Sequence, residues 1–364
     1  TATQYTVRWG DGTADTVLTA AQLAAQAGNV THTYGDGNAS RTITVDVVDE
    51  DGTWLVAGSH NVFVGNVAPT ASLTGADTIN EGSVYTLNVG PISDPGSDTR
   101  TAYAINWGDG NTDTLSAAQW AAAGGNFTHT YVDGGNGGTA RSISVSASDE
   151  DGTFTLGSKS LTVNNAAPSL TLSGNATTNE GATYTLNLVG SDPAGSNDPL
   201  NYSIDWGDGT AVQNLTAAQL AALGGNVSHS FADDQDGPVN STPRSIQVTV
   251  SDGDGGSTQQ TKAVNVNNVA PTLGATGAAT ATAGVSYSLS LANYVDPGAD
   301  TLAANGLRVN WGDGTSTTYS ALGVVNHIYA AAGPNTIRVS LTDEDGSYSD
   351  VSTLAIHVNP AATQ

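Results

Sequence analysis

The sequence predicts an all-β chain, a tandem array of two-sheet sandwiches, and three observations predict it. Trp-Gly-Asp-Gly occurs four times, beginning at Trp9, Trp107, Trp206 and Trp311, at intervals of about one hundred residues, the length of one β-sandwich domain. Each copy closes an alternating run such as Tyr5-Thr-Val-Arg-Trp9 or Tyr103-Ala-Ile-Asn-Trp107, whose period of two puts Tyr, Val or Ile and Trp on one face of a half-buried strand. Two further signals keep step with it. One is His32-Thr-Tyr34, His129-Thr-Tyr131, His229-Ser-Phe231 and His327-Ile-Tyr329; the other is an acidic turn, Asp49-Glu-Asp-Gly52, Asp149-Glu-Asp-Gly152, Asp252-Gly-Asp-Gly255 and Asp343-Glu-Asp-Gly346.

The Gly-Asp-Gly after each Trp suits a tight turn, because glycine accepts positive φ and an Asp side chain can accept from a nearby backbone N–H. Asp11, Asp109, Asp208 and Asp313 are therefore read as turn formers, and each Trp as a core anchor. In the first three repeats Thr19-Ala-Ala-Gln22, Ser116-Ala-Ala-Gln119 and Thr216-Ala-Ala-Gln219 match the capping box, in which hydroxyl and amide satisfy each other's free backbone N–H groups. Alanines follow, and Gly28, Gly124-Gly125 and Gly224-Gly225 end the helix, since glycine is the usual left-handed stop. Leu23, Trp120 and Leu220 take the same slot and are expected to pin the helix to the sheet. The fourth repeat shortens the region to Ser320-Ala-Leu-Gly323, so its helix is expected to be lost or reduced to a turn.

With Trp-Gly-Asp-Gly, His-x-Tyr and a strand ending in Asp-x-Asp-Gly in that order, the chain resembles tandem PKD (polycystic-kidney-disease type) domains over essentially its whole length. It departs from the family's longer Trp-Asp-Phe-Gly-Asp-Gly form and so resembles a variant branch of the kind found in large bacterial surface proteins. The resemblance implies an immunoglobulin-like sandwich and an extracellular structural or binding role, with calcium in some members.

The expected domains are 1–66, 67–166, 167–268 and 269–364. The linkers Asn66-Val-Ala-Pro69, Asn165-Ala-Ala-Pro168 and Asn268-Val-Ala-Pro271 are expected to be stiff, because Pro restricts itself and its predecessor to extended conformations. Ahead of its Trp strand the second domain has Ala71-Ser-Leu73, Asn80-Glu-Gly82, Val84-Tyr-Thr-Leu-Asn-Val89 and Asp94-Pro-Gly96; the opening domain lacks its first two strands. Its core around Val7, Trp9 and Val45 is expected to be open, and to be completed by upstream residues of the same polypeptide or by strands donated to residues 1–66 by a neighbouring chain. No Met and no export signal occur, so the chain is expected to be a segment or processed piece of a longer secreted protein.

Charge narrows the partners. Nine Lys and Arg stand against 34 Asp and Glu, a net of −25, which argues against nucleic acid and anionic membranes and favours cations. There is no Cys, hence no disulfide, thiolate metal site or thiol redox chemistry. No run approaches the roughly 20 apolar residues of a membrane helix, so direct membrane insertion is not expected. No nucleophile, base and oxyanion arrangement recurs, and the paired carboxylates are expected in exposed turns with nothing to raise a pKa, so no catalysis is expected.

The acidic turns carry the main chemical signal. On an immunoglobulin-like topology the start of the first strand, the loop between the second and third strands and the last hairpin share one pole. That gathers Asn66, Asp94, Asp149 and Asp151 on the second domain, Asn165, Asp192, Asp252 and Asp254 on the third, and Asn268, Asp296, Asp343 and Asp345 on the fourth. Such hard-oxygen clusters suit Ca²⁺; the competing reading is solvated turns that use Asp because Asp suits turns. Glu81 and Glu180, at the opposite pole, are expected to reach across the linker to complete a site, whereas the fourth domain has Ala283-Gly284 there. The histidines are read as packed, hydrogen-bonded groups, and the sequons at Asn29, Asn126 and Asn226 as chance in an Asn- and Thr-rich chain.

The function expected is a stiff, calcium-braced extracellular spacer or fibre of a large bacterial adhesin or surface filament. The alternative is an ancillary carbohydrate- or protein-binding module of a secreted hydrolase, with a cell-surface or glycan ligand. Trp54, Phe154 and Tyr348 are its only candidate aromatics, and the line breaks in the third repeat at Ser257 or Thr258.

Overall fold

The computed structural model describes residues 1–234 and 241–361; residues 235–240 and 362–364, inside the third and fourth expected domains, lie outside the described residues. The chain divides into two compact units, Thr1–Ala166 and Ala167–Gln364.

In the first unit Leu73–Thr74, Val84–Val89 and Asn126–Thr130 form a three-stranded sheet with Val84–Val89 in the middle. Thr78–Asn80, Thr153–Asn164, Thr139–Ser148, Ala102–Asn106 and Thr112–Ser116 form a five-stranded sheet in that order. The period of two does what it predicts: Val84–Val89 alternates exposed and buried along its whole length. Tyr85 and Leu87 from the small sheet meet Ile105, Trp107, Ile143, Val145 and Val163 from the large one in a single core, none of them more than 1% exposed. The entering chain serves both sheets, since Leu73–Thr74 pairs with the middle of the small one and Thr78–Asn80 runs parallel to Thr162, Val163 and Asn164 of the large one.

The second unit repeats this plan twice. Ser169–Gly174, Thr183–Ser191 and Asn226–Ser230 face the sheet Thr177–Asn179, Ser257–Asn267, Ser241–Ser251, Asn201–Asp205, Gln213–Thr216. Thr272–Gly277, Ser286–Val295 and Gly323–Ile328 face Thr280–Thr282, Ser347–Asn359, Gly333–Asp343, Leu302–Asn310, Ser316–Tyr319. The cores centre on Trp206 with Ile204, Phe231 and Ile246, and on Trp311 with Val309, Tyr329 and Ile337. The protein is all-β, a tandem run of immunoglobulin-like sandwiches.

Residues 1–66 form one sheet only, in the order Thr16–Thr19, Gln4–Arg8, Ala39–Asp49, Gly52–Val64. With no counterpart of Val84–Val89 to pair with, the segment from Asn29 to Tyr34 is not a strand, although it carries the same alternation as Asn126 to Tyr131. The inner face is open only in part: Ile43, Val45 and Val47 are half-buried, where Ile143, Val145 and Ala147 are at most 1% exposed, but Val7 and Trp9, expected to be open as well, are buried at 7% and 8%, with the ring of His32 stacked on Trp9. The last strand is exposed along most of its length on both faces, with Leu55 70% and Phe63, on the face away from Val45, 64% exposed.

The three capping boxes form as their sequences predict, opening Ala20–Ala25, Ala117–Ala123 and Ala217–Ala222 with Thr19, Ser116 and Thr216 as N-caps. Gly124 ends the second in the left-handed conformation, which costs a glycine nothing. Trp120 stacks on Tyr103 at 4.2 Å and meets Phe127, and Leu220 is buried. Ser320 to Leu322 of the fourth repeat form a bend and no helix.

Candidate metal centre

The Trp-Gly-Asp-Gly turns are tied to the histidines. In each turn one Asp oxygen accepts a backbone N–H two residues on, from Thr13, Asn111, Thr210 or Thr315. The other meets histidine Nε2, at 2.6 Å for Asp11–His32, Asp109–His129 and Asp208–His229 and 2.7 Å for Asp313–His327. Each imidazole lies flat on the Trp of its own repeat, at 4.6 to 4.8 Å between ring centres. The hydroxyls of Tyr34, Tyr131 and Tyr329 donate to the carbonyls of Trp9, Trp107 and Trp311. Burial pushes the carboxyl of Asp208 up, but the hydrogen bonds from Thr210 and His229 outweigh it and leave it below its ordinary value. These histidines are packed and paired, so they are structural.

The acidic turn of the fourth repeat is buried rather than exposed: Asp343 and Asp345 are each 4% exposed, and burial pushes both carboxyls up, which corrects for this turn the expectation that nothing raises a pKa. Asp343 gives one oxygen to the N–H groups of Asp345 and Gly346, at 3.0 Å each, and its other oxygen is out of reach of solvent and has no hydrogen-bond partner among the described residues. Asp149 does the same with Asp151 and Gly152. Asp252 accepts from Asp254 and Gly256. Turn formation and ligand supply are thus not rivals here, because they use different oxygens of one carboxylate.

Within the second unit, Glu180, Asp233, Asp234 and Asp345 bring one carboxylate oxygen each to within 4.8 Å of the others. Glu180 comes from the first turn of one sandwich and Asp345 from the last hairpin of the next. Asp234, Asp345 and Asp300 are 0, 4 and 7% exposed, and both oxygens of each lack a hydrogen-bond partner among the described residues. Burial, and then Glu180 and Asp296 among the neighbouring carboxylates, push Asp300 up to about 8; burial and then Asp234, Asp233 and Asp343 push Asp345 up to about 7. Glu180 also accepts the N–H groups of Val269, in the linker, and Asp234. The glycine of Asn-Glu-Gly is required here, since a Cβ on Gly181 would fall 2.1 Å from the carbonyl oxygen of Pro297. Asp296 accepts from Tyr294 at 2.9 Å and from Gly298. The amide of Asn268 is engaged by the Tyr348 hydroxyl.

The first unit holds a related arrangement. Asp36, Asp98 and Asp151 bring oxygens within 4.8 Å of one another, and so do Asp94, Asp98 and Asp149. Ser97 N–H donates to the Gly35 carbonyl at 2.8 Å, which fixes the two loops together. Burial, then Asp94, Asp149 and Asp151, push Asp98 up to about 6. Arg100 Nη1 lies 3.0 Å from Asp94 Oδ2, and Nδ2 of Asn66 is buried with no hydrogen-bond partner. Glu81, 1% exposed, accepts from Gly134 at 2.6 Å and from Ala166 in the linker at 2.9 Å. Asn165 belongs to this unit, and Asp192, Asp252 and Asp254 to the second. Asp192 closes its own turn through the N–H of Ala194.

Five of these carboxylates, Asp36, Asp98, Asp233, Asp234 and Asp300, escaped the sequence reading. Two signals would have found four of them: an Asp two residues past the His-x-aromatic motif (Asp36, Asp133, Asp233, with Ala331 in the fourth repeat), and a second Asp after each Asp-Pro (Asp98, Asp198, Asp300). An all-oxygen, carboxylate-rich donor set with unpartnered buried oxygens fits a hard divalent cation, Ca²⁺ above a thiophilic metal.

No family model and no curated protein matches the chain. Among solved structures it is similar to a tetra-tandem repeat in the extending region of a large adhesion protein, with 16% identity and a TM-score of 0.40 over 98% of this chain and 92% of that one. It is also similar to the chicken CNTN1 FN1–FN3 domains, with 11% identity and a TM-score of 0.24 over 80% of this chain and 99% of that one. A third similarity is to fibronectin(III)-like modules of Clostridium thermocellum CbhA, with 13% identity and a TM-score of 0.21 over 54% and 93%.

Proposed function

We propose that the chain is a run of PKD-like repeats that serves as a non-catalytic extracellular spacer of a large bacterial surface protein, with Ca²⁺ bracing the joints between successive sandwiches. One observation carries the reading: Asp234, Asp300 and Asp345 are buried beside Glu180 with no hydrogen-bond partner among the described residues, where one sandwich of the second unit meets the next. Unpaired buried carboxylates repel one another and cost several kcal/mol of desolvation in order of magnitude, so a fold that keeps them is organised around a cation. Glu180, Asp233, Asp234 and Asp345, with Asp300 beside them, would hold it. The ion supplies positive charge that both sandwiches share, which converts a repulsive joint into a fixed one.

The alternative as a binding module loses its aromatic line: Tyr348 is bonded to Asn268 and Phe154 is half-buried, which leaves Trp54, 57% exposed, alone. The open face of residues 1–66 is proposed as the place where donated strands add to the chain.

The test is calcium titration of the metal-stripped chain by calorimetry, with scattering in calcium and in EDTA. Saturable calcium binding with a more compact or better-defined particle is the expected result. Absence of calorimetric binding at millimolar calcium, with superimposable scattering curves, would overturn the calcium-braced spacer.

A further inference from the structure

The joint in the first unit contains a charge that its counterpart in the second lacks. Asp98-Thr99-Arg100 corresponds to Asp300-Thr301-Leu302, and the backbone confirms the correspondence: Thr99 N–H donates to Glu150 and Thr301 N–H to Glu344, the middle residues of equivalent acidic turns. The third repeat also has a leucine at this place, Leu200. Leu302 packs against the core of its sandwich. Arg100 instead turns its guanidinium to Asp94, whose side chain is 5% exposed, while its own is 27% exposed.

The carboxylates there fall into two triads, Asp36 with Asp98 and Asp151, and Asp94 with Asp98 and Asp149, so two cation positions share Asp98. Both oxygens of Asp98, and one each of Asp149 and Asp151, are out of reach of solvent and without a hydrogen-bond partner among the described residues. Of the two positions, the one on Asp94 is where Arg100 already places a positive charge. A guanidinium is always protonated and is less strongly hydrated than an ammonium, which suits it to a partly buried site.

We infer that Arg100 stands in for a divalent cation at the position on Asp94, so that the joint in the first unit takes calcium at only one of its two carboxylate triads. This rests on the calcium reading above. A cation that belongs to the chain cannot be chelated, so the triad on Asp94 keeps its positive charge when calcium is withdrawn, whereas Leu302 supplies none at the corresponding place. Arg244, whose guanidinium donates to the backbone carbonyls of Asp233 and Asp234, has a counterpart in every joint-forming repeat (Arg41, Arg141) and so does not create the difference.

The experiment counts calcium. Wild type, Arg100→Leu and Arg100→Lys, each as the full chain, are equilibrated with calcium and weighed by native mass spectrometry, with equilibrium dialysis as the second count. Leucine is the residue that the other repeats use, so the variant is expected to fold, and its circular dichroism spectrum checks this. Arg100→Leu should bind one more calcium ion per chain than wild type, and Arg100→Lys the same number as wild type. Equal counts in wild type and a folded Arg100→Leu, with calcium bound in both, would overturn the role of Arg100 and leave the calcium reading intact. No calcium in either protein would overturn both.

Discussion

Pro199 lies against Gly253 in the third repeat, where a Cβ on the glycine would come to 4.0 Å from the proline ring, and the two replace a hydrogen-bonded pair. In the second and fourth repeats the equivalent residues are Thr99 with Glu150 and Thr301 with Glu344, joined from backbone N–H to carboxylate at 2.9 and 2.6 Å. Proline has no N–H to give, so a glutamate opposite it would gain nothing, and glycine stands there instead. Gly253→Glu alone should therefore change stability by less than about 0.5 kcal/mol, the usual range for an exposed site. Combined with Pro199→Thr it should show a favourable coupling of roughly 0.5–1 kcal/mol in a double-mutant cycle read by urea denaturation. Zero coupling would mean that the bond adds no stability in the repeats that have it.

Asp345 is buried with no hydrogen-bond partner for its carboxylate oxygens among the described residues, so its removal should have opposite effects with and without calcium. In EDTA, Asp345→Asn relieves an unpaired buried charge and should raise stability by about 1–2 kcal/mol. In saturating calcium it removes a ligand and should lower stability relative to wild type. Thermal melts in the two buffers decide the matter, and the same sign in both would refute a cation at this position.

The pairing of Asp208 with His229 gives a pH dependence whose sign can be worked out. The folded carboxyl lies below its unfolded value of 3.8, so between the two the unfolded chain holds more protons. The stabilisation is therefore complete above the unfolded value and disappears as pH falls through the lower folded one. Melting curves from about pH 5 to about pH 2 should show wild type losing stability more steeply than Asp208→Asn. Parallel curves would show that the contact between the rings and the carboxylate adds nothing beyond packing.

The exposed last strand of the first repeat predicts an asymmetry with the equivalent strand of the second. Leu55→Ser and Phe63→Ser alter side chains that are 70% and 64% exposed, and each should cost under about 0.5 kcal/mol. Leu161→Ala, in the equivalent strand of the second repeat and 3% exposed, should cost about 2–4 kcal/mol. Urea denaturation compares them directly, and binding of a hydrophobic dye should fall in the two serine variants.

Much of the fold was legible because its signals are local. Trp107 and Ile105 share a face by period two, and Ser116 and Gln119 form a cap by their spacing alone, so neither needs tertiary information. The candidate site was only partly legible, since its members sit in irregular loops. The second Asp follows its Asp-Pro by four residues at Asp98 and Asp300 but by six at Asp198, so no period marks it. The burial of Asp300 and Asp345 comes from a second sandwich closing over them, which a single repeat cannot reveal. The absence of a whole sheet from the first repeat, rather than two strands, likewise follows from pairing: without a counterpart of Val84–Val89 the residues around His32 have no partner to align with.

The short parallel strand that enters each complete sandwich has a mechanical meaning. Thr78–Asn80 pairs in parallel with the end of Thr153–Asn164, Thr177–Asn179 with the end of Ser257–Asn267, and Thr280–Thr282 with the end of Ser347–Asn359. The second strand of each sandwich thus clamps onto its last, and the two run in the same direction. Tension on the two ends of such a sandwich slides the pair lengthwise, so the rungs of hydrogen bonds are loaded together; an antiparallel hairpin pulled at its open end would instead unzip rung by rung. Forced unfolding is governed by the barrier to leaving the native state, and rungs that must break together raise that barrier. Each complete sandwich therefore resists pulling most strongly along the line in which its neighbours in the chain would pull it.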